Sequence, residues 1–459
     1  MPEPPAHPFM APVGRSNIHN DAWMTDAYLT PGPLGRSPRT DSVSLGALCG
    51  TITFDRAGRL ETTCTGTATP RLLLLGPKTL GVLASMDLPR RETSASGANP
   101  FQDFTGGGYF YLDHRDRAVI PTTTRHVFVV AQRRNPDGSI SFVVARDYDL
   151  GTVLGTERIS SVLPDWTGRY WFVSKAKGMI GTVDRSSGTV RTITLGEEVE
   201  NSFAVGEDGG VFVVSDRAMY RFDPDRRGGP RVTWRAPYRN SGIAKPGQVD
   251  AGSGTTPTLM GGGLVAITDN ADPMNVVVYR RAKRVAKGRR RVVCEQPVFG
   301  KGAGDTENSP IALGRSLLVE NNYGYVGPTA TSGGATTTPG FARVDVDPRR
   351  DRCRLVWTNT TDAGPSVVSK ASAATGLLYT YTKPTTPGGV DAWYWTALDV
   401  RTGRRVWRQL AGTGFAYNNN YAGLVLGPRG IAYLGVFGGI ITMRDAAGGA
   451  SGTPADDRP

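Results

Sequence analysis

Helical periodicity is missing from this chain. No long stretch of its 459 residues repeats apolar side chains at i, i+3, i+4 and i+7, which argues against layers of amphipathic helices. No apolar run is long enough to cross a membrane as a helix, and the N-terminal MPEPPAHPFMAP lacks the apolar stretch of a secretory leader. Histidine is scarce: His7, His19, His114 and His126 are the whole set. Cysteine is equally rare, and neither a CxxC nor a Cys/His cluster at zinc spacing occurs. Gly-x-Ser-x-Gly, Walker and dinucleotide fingerprints are absent as well. The one Gly-rich entry, Gly106 to Phe110, leads into a predicted strand and has no helix N-terminus to hold phosphate.

Negative charge is outweighed, with a formal net charge of +12. One short run carries most of the excess: Arg280, Arg281, Lys283, Arg284, Lys287, Arg289, Arg290 and Arg291. Without these eight, 45 Lys and Arg stand against 41 Asp and Glu. The run contains no aromatic side chain past Arg281 and is not spread along a groove, as a phosphate-tracking surface would be. It reads as a solvated hairpin tip, and no nucleic-acid partner is expected.

What the chain does have is glycine and proline, 59 and 32 residues, placed between short β-prone runs such as Val127–Val130 and Val211–Val214. Eight hairpins share one plan: a β-prone stretch, a tight Gly- or Asp-rich turn, and a second β-prone stretch. The first residues after their turns are Arg59, Ala118, Arg169, Val211, Leu264, Leu317, Leu377 and Ile431, spaced 42 to 60 residues apart. A period near fifty with four short strands per unit describes a β-propeller blade. The expected architecture is all-β: one propeller of about eight four-stranded blades, with seven as the alternative. A second signature, acid to basic turn to Trp, ends at Trp234, Trp357 and Trp407, and reads as a third-to-fourth-strand hairpin whose Trp packs between blades. The last unit lacks a fourth strand, and Ala22 to Thr30 is the expected donor that closes the ring. The predicted division is an N-terminal extension at 1–20, the propeller at 21–445 and a disordered tail at 446–459.

The four cysteines read as two pairs. Folding Gly50 to Thr63 about Asp55-Arg56-Ala57-Gly58 sets Phe54 opposite Arg59 and, further out, Cys49 opposite Cys64, within reach of a disulfide. Cys294 and Cys353 occupy similar places in consecutive units and would bridge neighbouring outer strands; four buried free thiols are the alternative. Disulfides imply an oxidising compartment, so the expected location is extracytoplasmic with the leader removed, and cytoplasmic as the alternative.

Ala397-Leu398-Asp399-Val400-Arg401-Thr402-Gly403-Arg404-Arg405-Val406-Trp407, followed by Tyr433-Leu434-Gly435-Val436-Phe437-Gly438-Gly439, resembles the repeat of quinoprotein-type (PQQ-repeat) propellers, in an uncharacterised bacterial branch. The resemblance covers the last fifty residues well, and the spacing runs through the chain. It implies an eight-bladed ring with a site on its axis. The adjacent-cysteine disulfide of the quinone enzymes and the haem-attaching CxxCH are both missing here, which sets the chain apart from the alcohol dehydrogenases.

In a propeller, the loops entering the inner strands and those joining second to third strands share one face. The richest of these are acidic and amide-bearing: Asp269, Asn270, Asp272 and Asn275, then Asp305, Glu307 and Asn308, then Glu320, Asn321 and Asn322. Carboxylates mixed with amide oxygens suit a hard cation such as Ca²⁺, with Asp269, Asp272 and Glu307 as candidate ligands. Converging carboxylates without a metal would raise one pKa for acid–base work, which names Asp269, Glu307 and Glu320 as candidate catalytic groups. Asn270, Asn308, Asn321, Asn418, Asn420, Lys370 and His19 are candidate ligand-binding residues. Lys383 is a weaker candidate for holding an anion. The alternative for each is turn capping. The functional expectation is an exported, monomeric propeller binding a small polar molecule in its funnel, with Ca²⁺-type metal-assisted catalysis as one form. A non-catalytic scaffold at the cell envelope and a PQQ-dependent oxidoreductase are the alternatives.

Overall fold

The computed structural model describes residues 4–65, 69–91 and 105–446. These form eight sheets arranged as blades around an axis. The inner strands are, in chain order, Leu48–Phe54, Tyr111–Leu112, Ile159–Pro164, Ala204–Val205, Thr258–Met260, Ile311–Leu313, Lys370–Ser372 and Val425–Leu426. Each of the eight hairpins read from the sequence joins the first and second strands of one blade. In the first three blades the turn is locked by one device, Asp-x-x-x-Arg. Asp55, Asp113 and Asp165 each accept backbone N–H groups two and four residues on, and each also pairs with the arginine at position four. An Asx turn plus an ion pair satisfies donors that a bare turn would leave exposed.

The aromatic signature is an inter-blade wedge. Trp357 of blade six donates to the Val400 carbonyl of blade seven at 3.0 Å. Trp234 of blade four faces Tyr279 of blade five and lies under the Arg291 guanidinium at 4.5 Å. Gly35, at φ +76°, lets the chain pass Trp407, since a Cβ there would sit 2.5 Å from the indole. The basic run is the tip between the third and fourth strands of blade five. It clamps both neighbours through Arg280–Asp351, Arg281–Glu207 and Lys283–Asp223.

Both disulfides are present. Cys49–Cys64 joins the first two strands of blade one, and Cys294–Cys353 joins the outer strands of blades five and six. The first pair forms by a different register from the expected one. Phe54 faces Leu60, not Arg59, and an irregularity between Cys49 and Ile52 restores Cys49 to Cys64. The turn is one residue longer and the bulge takes the residue back.

An N-terminal strand closes the ring, but Ala22–Thr30 is not that strand. Pro38–Ser44 supplies the outer strand of blade eight, antiparallel to Gly439–Asp445. An outermost strand must tolerate water on its free edge, and PRTDSVS is polar and largely exposed, whereas Ala22–Tyr28 is wholly buried. That apolar stretch fills the axis instead. Ala27–Tyr28 pairs parallel with the inner strand of blade seven. The N–H groups of Leu112, Val205, Leu259, Ala312 and Ala371 bond to the carbonyls of Ser16, Ala22, Trp23, Thr25 and Asp26. The segment thus satisfies inner-strand edges of five blades that a hollow channel would leave open. The predicted tail, apart from Ala446, lies outside the described residues.

Candidate active site on the entry face

A four-stranded meander puts its entering loop and its second-to-third loop on one face, and its other two turns on the opposite face. The entry face is roofed. Loops 238–257 and 321–340 cross the axis to the entry of blade eight. Tyr421 donates to the Gly247 carbonyl at 3.0 Å, Tyr325 to the Asn419 carbonyl at 3.1 Å, and Asn418 Nδ2 to the Pro328 carbonyl at 2.8 Å. Tyr109, entering blade two, donates to Asn201, entering blade four, at 2.7 Å. Residues from blades so far apart in the ring meet only at its axis.

Beneath the roof lies a group of buried carboxyls. Asp305 is fully buried, and neither of its oxygens has a hydrogen-bond partner among the described residues. Burial pushes its pKa up to about 8, and Lys245 offsets only part of that. Glu307 accepts the Val249 N–H at 2.9 Å through one oxygen, and its other oxygen is unpartnered. Burial first, then the carboxylates of Asp250, Glu200 and Asp305, hold its pKa well above the ordinary range. Burial also raises Glu200 to about 8 and Asp250 to about 6. One oxygen each from Glu198, Glu200 and Asp250 lies within 4.8 Å of the others, with Lys175 Nζ 2.7 Å from Glu200. A polar site where several carboxyls lack counter-charges favours either protons or a bound cation.

Asp269, Asp272 and Glu307 do not come together as one cluster. Asp269 accepts from Ala271 N, Asn275 N and Asn275 Nδ2, and Asp272 from Gly302 N, so both tie loops. Glu320 is held by Ser369 and Asn308, and burial raises its pKa to about 8. Asn308 also donates to the Val367 carbonyl, leaving its own Oδ1 unpartnered. Asn270 donates to Asn240 and Ile243, Asn321 to Ala303, and Asn420 accepts from Tyr325. These amides stitch the roof. Lys383 donates to the Ala335 carbonyl and pairs with Asp391. His19 and Lys370 converge on one carboxylate, Asp26: His19 Nδ1 lies 2.9 Å away, and Lys370 also donates to the Ile18 carbonyl at 2.6 Å.

Glu198, Glu200 and Asp250 were not among the candidates expected from sequence. A signal was available, because blades four and six are entered by the same tripeptide, Glu200-Asn201-Ser202 and Glu307-Asn308-Ser309. Repetition of an acid at one blade position puts equivalent carboxylates around the axis.

The fold is that of the quinoprotein-type propellers, eight four-stranded blades in a ring. BamB from Moraxella catarrhalis superposes with a TM-score of 0.51 at 10% identity, covering 90% of this chain and 98% of that one. A quinohemoprotein alcohol dehydrogenase from Pseudomonas putida HK5 superposes with a TM-score of 0.56 at 10% identity, covering 98% and 83%. In sequence, an uncharacterised protein of Archaeoglobus fulgidus is 28% identical over 334 residues, 65% of this chain; the match spans 63% of the archaeal protein's length. No protein-family model matches. No helix among the described residues is long and apolar enough to cross a membrane.

The quinone of the dehydrogenase-type propellers does not fit these residues. It is a tricarboxylate, and the entry face offers chiefly carboxyls. Lys175, Lys245, Lys370 and Lys383 are each already committed to protein oxygens. No adjacent cysteines are present to flank it. A hard cation does fit the donor set of carboxylate and amide oxygens.

Proposed function

We propose that this is an extracytoplasmic propeller whose roofed axial carboxyl cluster takes a cation or a small cationic molecule, with Ca²⁺ as the simplest occupant. The observation that carries the reading is the trio of buried oxygens on Asp305 and Glu307 that have no hydrogen-bond partner among the described residues, with Glu307 in the field of Glu200 and Asp250. Isolated buried carboxylates are costly, and a bound cation would offset that cost. The two disulfides support an oxidising location. With the cluster free of metal, a carboxyl held near pKa 8, such as Asp305, is poised for acid–base chemistry on a polar substrate.

The test is calorimetric titration of chelator-treated protein with Ca²⁺ at pH 8, with thermal unfolding in parallel. One ion per chain is expected, with a rise in Tm that Glu307→Gln removes. Absence of saturable binding, or an equal Tm rise in the variant, would overturn the proposal. A second reading, a scaffold docking through the roof, rests on Ile243 and Val326, each 62% exposed on the two roof loops. Those loops would be protected from hydrogen exchange by a partner and unaffected by Ca²⁺.

A further inference from the structure

The opposite face carries a cleft of about 960 Å³, between the N-terminal segment, the third-to-fourth-strand turn of blade one and the first-to-second-strand turn of blade eight. Its walls include Leu34, Leu426 and Ile431, and its charged rim is basic: Arg15, Lys78, Arg429 and Arg444 against Asp445. The lone acid is committed, since Asp445 accepts the N–H groups of Leu34 and Arg36 at 2.7 and 2.8 Å. Two of the cations are also engaged, Arg444 with Asp41 and Arg429 with the Pro77 carbonyl. Arg15 and Lys78 have no ion-pair partner among the described residues. Tyr28 lines the same cleft and is 2% exposed.

We propose that this cleft binds a small organic anion, one acidic headgroup on an apolar body. The headgroup would meet Arg15 and Lys78, and the body would lie along Leu34, Leu426 and Ile431. The volume falls in the range of small-molecule sites, and an apolar wall with a few convergent polar groups is their usual composition. The cleft is separated from the acidic cluster by the axial segment, so the two sites stand or fall independently.

The test compares two probes of like shape, 8-anilinonaphthalene-1-sulfonate and the uncharged N-phenyl-1-naphthylamine, by fluorescence titration of the whole protein. The sulfonate is expected to bind saturably, one per chain, and to weaken with added salt. Arg15→Gln combined with Lys78→Gln is expected to weaken the sulfonate at least fivefold and leave the neutral probe unchanged. If the double variant fails to fold, the exposed Lys78→Glu alone carries the same expectation of selective loss. Non-saturable sulfonate binding, an unchanged sulfonate affinity in the variant, or equal loss of both probes would overturn the proposal.

Discussion

Lys370 Nζ donates to the carboxylate of Asp26, 344 residues earlier in the chain, and both side chains are wholly buried. This pair, with His19 on the same carboxylate, fastens the axial segment to blade seven.

Removing one partner of such a pair leaves the other charge buried and uncompensated, which costs about 3–5 kcal/mol. Lys370→Met is therefore expected to lower stability by roughly that amount. Lys370→Met with Asp26→Leu should recover much of it. Chemical unfolding of the three proteins measures both. A single variant as stable as the parent would show that the pair does not hold the segment.

Stability of the metal-free protein should fall as pH rises from about 5 to 8.5. Asp305 and Glu200 titrate near 8 in the folded state and Asp250 near 6, against about 4 when unfolded. Between those values the native state holds the extra protons, so its advantage is complete below about pH 4 and is lost through pH 8. Asp305→Asn should raise Tm at pH 8.5 and change it little at pH 5. Scanning calorimetry in chelator decides this. A flat profile in the parent would contradict the buried carboxyls.

The two disulfides should contribute unequally. Cys294–Cys353 closes 59 residues and Cys49–Cys64 closes 15. On the chain-entropy account these correspond to about 4 and 3 kcal/mol. Replacing the longer-range pair by alanine should lower Tm more than replacing the shorter. A thiol count on unreduced, denatured protein should find none, and four would exclude both bridges.

Gly435 marks the seam between the last and first blades. A Cβ at this position would lie 1.7 Å from the Cys49 carbonyl oxygen. Backbone cannot yield as a flexible side chain would, so Gly435→Ala is expected to cost at least the 1–3 kcal/mol typical of overpacking. Thermal unfolding measures it, and a neutral effect would mean that the seam opens without penalty.

The amino-acid sequence by itself determined the blades. Period-two stretches, Asx turns and Gly-rich hairpins act within ten or twelve residues, and their recurrence counts the units directly. The cysteine pairs were legible for the same reason, even though an added turn residue and a bulge had to cancel in the first. Only the tertiary structure decided which N-terminal stretch closes the ring and which fills its axis. Ala22–Thr30 is the stretch that reads as the closing strand and Pro38–Ser44 does not stand out, because the choice rests on whether a free edge meets water. The fate of each acid was settled at that level too. Asp269 finds its donors two and six residues away, Asp26 finds one partner seven residues away and another 344 away, and Asp305 finds none among the described residues, so the accounting of buried partners is complete only once the ring has closed.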